Sequence, residues 1–168
     1  MRHTASPVST LRLLIPICGG KRCFWATTYA EKLRRGDQMV EVCLLHVLEP
    51  LGPLQALLHA FPAQLTLQRQ RAEAVLALAA KPLQTAGIPY AAYLRSGSIV
   101  SSLLDAAEEL DCQEIVVPRS RRRFFSRDVV RLLQARRRRV PVVVVGASGI
   151  PVKDGGDRHQ VPLGGMSR

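Results

Sequence analysis

A chain of 168 residues, 47% hydrophobic and 22% charged, is long enough for one domain with a sizeable core and too apolar to be disordered. Its formal net charge of +11 is concentrated: residues 119 to 139 hold ten arginines against the single acid Asp128, and the rest of the chain carries only +2. No apolar run approaches the roughly 20 residues that span a bilayer, and the opening MRHTASPVST lacks the apolar stretch of a signal peptide, so a soluble, cytoplasmic protein with no membrane partner is expected.

Residues 1–10 read as a flexible arm. Leu11 to Ile17 (LRLLIPI) predicts the first strand, and Cys18-Gly19-Gly20 a tight strand-to-helix turn whose glycines allow positive φ or close backbone approach. A helix is expected from about Lys21 to Arg35, stopped by Gly36-Asp37, and a second strand over Met39 to Leu48. Breakers at Glu49-Pro50 and Gly52-Pro53 precede a helical region from about Leu54 to Thr85, interrupted at Pro62, with a kink or a final turn at Pro82. Tyr90 to Leu94 predicts a third strand, and Ser98 an N-cap for an amphipathic helix over Ile99 to Leu110. Ile115 to Val117, Phe124 to Arg136 and Val142 to Val145 follow as strand, helix and strand, and the breaker-rich residues 147–168 as a mobile tail.

The alternation of strand and helix predicts an α/β fold with a parallel sheet and helices on both faces. Continuous Val/Ile runs, in place of alternating ones, suit strands covered on both sides. In such sheets ligands sit beyond the carboxyl ends of the strands, where Arg119, Arg121, Arg122 and Arg123 follow the fourth strand.

Four segments in this order, LLIPICGG, VEVCLLHVLEP, SGSIVSSLLDAAEELDCQEIVVPRSR and RVPVVVV, resemble the universal stress protein family over residues 11–146. The resemblance implies a Rossmann-like five-stranded sheet of order 3-2-1-4-5 and a binding or regulatory role in stress responses. It also implies a homodimer paired through Val142, Val143, Val144 and Val145. Nucleotide-binding members hold ATP between the ends of strands one and four, which maps a cofactor site onto Ile17, Cys18, Gly19, Gly20, Val47, Pro118, Arg119, Ser120, Arg121 and Ser126. Those members carry Asp where this chain has Cys18, and a Gly-x-x-Gly that falls here on Pro118 and Arg121; no glycine occurs between Pro118 and Gly146. A phosphate cradle needs converging backbone N–H groups, and Pro118 removes one of them. No cofactor is therefore expected, with ATP bound at low affinity at most. The alternative is an arginine-rich phosphate loop, in which guanidinium forks replace the missing backbone donors.

A third reading is a polyanion or nucleic-acid surface made by Arg122, Arg123, Arg127, Arg136, Arg137, Arg138 and Arg139, although cations at a helix C-terminus also complement its dipole. Catalysis finds thin support. His3 and His159 lie in the expected arm and tail, His46 inside the second strand, His59 in the interrupted helical region, and no GxSxG occurs. A non-enzyme is expected, with slow ATP hydrolysis as the alternative. The four cysteines show no metal-binding spacing; Cys43 reads as a core residue, and all four as free thiols. Cys18, placed at a helix N-terminus near Lys21 and Arg22, is either a stabilised thiolate or a buried inert thiol.

Overall fold

The computed structural model describes residues 9–49, 62–119, 127–136 and 140–152. Its first strand, β1 (Leu11–Pro16), is buried on both faces from Leu13 on, and its one charged residue, Arg12, pairs with Glu41 at the strand's start. Leu13 and Ile15 pack on one side of the sheet with Val42 and Leu44 of β2 (Val40–Leu48), under α1 (Phe24–Arg35) and α2 (Pro62–Thr85). Leu14 packs on the other side with Cys43 and Leu45, under α3 (Ile99–Glu109) and α4 (Arg127–Arg136). With β3 (Tyr90–Ser96), β4 (Glu114–Pro118) and β5 (Val142–Val145) the sheet has the order β3-β2-β1-β4-β5, all neighbours parallel. The chain reverses its direction of growth after β3, and this puts α3 and α4 on the face opposite α1 and α2. The expected α/β architecture is the observed one.

Element ends follow local chemistry, with some departures from expectation. The first helix begins with a 3-10 turn over Lys21–Cys23, so α1 proper starts at Phe24. It ends with Gln38 N–H donating to the Leu33 carbonyl, and the left-handed residue of that stop is Asp37 (φ 62), not Gly36. Pro62 begins α2, where a missing N–H costs nothing, and Pro82 lies inside that helix, which continues to Thr85. Ser98 takes the N-cap position of α3 but makes no side-chain capping bond. The parts of the expected helices over 54–61 and 124–126 lie outside the described residues.

Two prolines shape the middle of the sheet. Leu11 N–H donates to Met39 O and Ile17 N–H to Leu45 O, so odd-numbered residues of β1 turn their backbone groups to β2 and even-numbered ones to β4. Ile115 N–H donates to Pro141 O and Arg119 N–H to Val145 O, so in β4 the even-numbered residues turn to β1. Pro16 and Pro118 therefore meet at the β1–β4 seam, and neither has an N–H to give. The β1–β4 ladder stops at Leu14↔Ile115, whereas β1–β2 continues to Pro16↔Leu45. The seam opens at the switch point because its last donors are absent.

The outer edge of β5 is partly covered. Residues 147–152, expected to belong to a mobile tail, turn back along the strand instead. Gly146 N–H donates to Ile150 O at 3.0 Å, Val152 N–H donates to Val144 O at 2.7 Å, and Val145 and Pro151 form an antiparallel bridge. Gly149 (φ +64) is buried against α1, where a Cβ would stand 2.7 Å from the Tyr29 backbone nitrogen; both facts demand glycine. Residues 153–168 lie outside the described ones.

Candidate functional site

At the carboxyl end of β1 the chain leaves the sheet through Ile17 and Cys18, both of which line a cavity of about 40 Å³ with Pro16, Gly19, Leu45, His46, Val47 and Ile99. That volume has room for a few waters and is far below the roughly 300 Å³ at which ligand pockets begin. Of the residues expected at a cofactor site, the cavity brings together Ile17, Cys18, Gly19 and Val47. Gly20 lies just outside it in the exposed turn, with φ 121, a conformation that suits glycine. Pro118 is buried at the end of β4, and Arg119 is exposed beyond it, its N–H held by Val145 O at 2.7 Å. Ser120, Arg121, Arg122, Arg123 and Ser126 lie outside the described residues, as do Arg137, Arg138, Arg139 and the side chain of Arg127. Arg136, in the last turn of α4, is exposed.

His46 was not among the expected site residues. Its Nδ1 lies 2.7 Å from the Ile17 carbonyl, so Nδ1–H is the donor and the neutral ring keeps Nε2 as an acceptor. The bond ties β2 to the point where β1 ends. The available signal was a polar residue inside VEVCLLHVL, a strand otherwise apolar around it. Burial lowers the His46 pKa from its ordinary value of 6.5, against the opposing pull of the carbonyl. The folded state thus resists protonation more than the unfolded state does. The resulting stability is present above the ordinary value and is lost as pH falls below it. Denaturant midpoints of the wild type are expected to drop as pH falls below the ordinary histidine value, and those of His46→Asn, which retains a donor, to drop less. Equal losses in the two proteins would show that His46 does not contribute.

Cys18 does not stand at the helix start as expected; the helix opens at Lys21 after Gly20, and Cys23 closes its first, 3-10 turn. The two sulfurs are 3.2 Å apart, Cys18 N–H donates to Cys23 Sγ at 3.2 Å, and Cys23 Sγ also contacts the Cys18 carbonyl. The sulfur–sulfur hydrogen bond lowers the Cys23 thiol pKa and raises that of Cys18, and burial raises Cys18 further. Cys43 and Cys112 are enclosed in the core at 2% and 4% exposure, and all four thiols are free. Among the described residues no cluster of three or more metal-ligating side chains occurs, and no helix is long and apolar enough to cross a membrane.

The profile of the universal stress protein family matches residues 11–146, a span that holds every described strand and helix. The chain belongs to the universal stress protein family. No curated protein matches it. Among solved structures, the hypothetical protein MJ0577 is 17% identical with a TM-score of 0.66, the match covering 81% of this chain and 95% of that one. A universal stress family protein from Burkholderia pseudomallei is 20% identical with a TM-score of 0.62, over 80% and 94% of the two chains. A family protein from Arabidopsis thaliana, solved with AMP bound, is 15% identical with a TM-score of 0.57, over 81% and 91%. At these identities the likeness is one of fold.

Proposed function

We propose that this universal stress family protein is a binding or regulatory component of stress responses, not an enzyme, and that it holds adenine nucleotides weakly or not at all. The Arabidopsis relative with AMP supports adenine nucleotides as the ligand class to test. One observation argues against tight binding here. The β1–β4 seam, where nucleotide would enter, ends in Pro16 and Pro118, and the cavity beside it measures only about 40 Å³. Among the described residues, Pro16 and Pro118 offer a phosphate group no N–H at this seam, and the cavity leaves it little space. Calorimetry with ATP and with AMP at moderate salt is expected to give Kd values of about 100 µM or weaker, corresponding to roughly −5.5 kcal/mol or less favourable. Micromolar or tighter binding of either nucleotide would overturn this reading, and would favour an arginine-rich phosphate loop.

The same reading includes a homodimer through β5. The returning residues 150–152 occupy Val144 O and Gly146 N, and leave the first half of the strand's outer edge uncovered among the described residues. An apolar edge of this kind invites pairing with a second copy about a two-fold axis.

A further inference from the structure

We propose that Cys18 and Cys23 are a redox pair, a dithiol that a peroxide closes into an intramolecular disulfide at the end of β1. Their sulfurs, 3.2 Å apart, stand about 1.2 Å beyond disulfide bond length, a gap that side-chain rotation can close. The turn between them can yield, because Gly19 and Gly20 are exposed and have open space around them. The pair is also reachable: Cys18 is half-buried and lines the cavity at the strand ends, whereas Cys43 and Cys112 are sealed in the core. Cys23 lies in the first turn of the helix that opens at Lys21, accepts the Cys18 N–H, and turns its own S–H to the Cys18 carbonyl, so its sulfur is held against Cys18 from two sides. The lowered Cys23 pKa agrees with this geometry.

The chemistry balances with hydrogen peroxide as the oxidant. One thiol of the pair gives up its proton, and its sulfur attacks a peroxide oxygen. The O–O bond breaks, hydroxide leaves and takes up that proton as water, and a sulfenic acid remains. The second thiol attacks the sulfenic sulfur. The S–S bond forms, the S–O bond breaks, and the departing oxygen carries off the second thiol's proton as water. Charge favours Cys23 as the first sulfur and exposure favours Cys18; either order ends in the same disulfide. The proposal does not depend on nucleotide affinity.

The test uses the full chain, treated with stoichiometric hydrogen peroxide, quenched and unfolded. Free thiols are expected to fall from four to two, and to return to four with dithiothreitol. Trypsin cuts between the two cysteines at Lys21 and Arg22, so the disulfide should join the peptides LLIPICGGK and CFWATTYAEK in the mass spectrum. Cys18→Ser is expected to yield no such linked peptide. If that variant does not fold, the wild-type peptide map decides alone. Four thiols surviving in the wild type, a disulfide between Cys43 and Cys112 instead, or over-oxidation of one unpaired sulfur would each overturn the proposal.

Discussion

Val143→Pro is expected to destabilise the protein by on the order of 3 kcal/mol or more, while Val142→Pro, one residue earlier, leaves the fold intact and yields a monomer. The difference comes from the direction of the backbone groups. Ile115 N–H donates to Pro141 O and Arg119 N–H to Val145 O, so the odd-numbered residues of β5 face β4; Val144 O and Gly146 N, bonded to Val152 and Ile150, face outward. By this alternation the Val143 N–H belongs to the sheet, and proline there removes a ladder bond within it. The Val142 N–H points to the open edge, and proline is tolerated at the first residue of a strand. Sedimentation at tens of micromolar, paired with thermal melts, separates the two effects. A wild-type monomer, or a Val142→Pro dimer as tight as the wild type, would refute assembly through β5.

Leu13→Ala and Leu14→Ala should each cost about 2–5 kcal/mol, or roughly 4–20 °C in Tm for a chain of this size. Both side chains are 0% exposed, although neighbours on a strand point to opposite faces. Leu13 packs in the cluster under α1 and α2, and Leu14 in the cluster under α3 and α4. A sheet with one wet face would tolerate one of the two substitutions. Equal and large losses are the signature of a central strand covered on both sides. A loss below about 1 kcal/mol at either position would contradict the double cover.

The strands, the class of fold and most element ends are determined by the sequence itself, because their causes are local. A strand buried on both faces must be apolar along its covered length, so LLIP after Arg12 and VVVV declare themselves without knowledge of their neighbours. Gly36-Asp37 at the end of α1 and Gly20 in the first turn act through their own backbone dihedrals, which are also local. Tertiary structure decided the rest, wherever the cause is a partner distant in sequence. Pro16 reads as a proline near a strand end and Pro118 as a missing donor in a phosphate loop, and only the pairing of β1 with β4 sets the two missing donors against one seam. Gly149 reads as one more breaker in a loose tail until α1 stands behind it and leaves no room for a Cβ. His46 gains a purpose from the carbonyl of Ile17 in the neighbouring strand, and its lowered pKa from the burial that follows. Cys18 and Cys23 are near in sequence, yet their spacing matches no metal or redox motif. It is the 3-10 turn over Lys21–Cys23 that carries one sulfur back to the other.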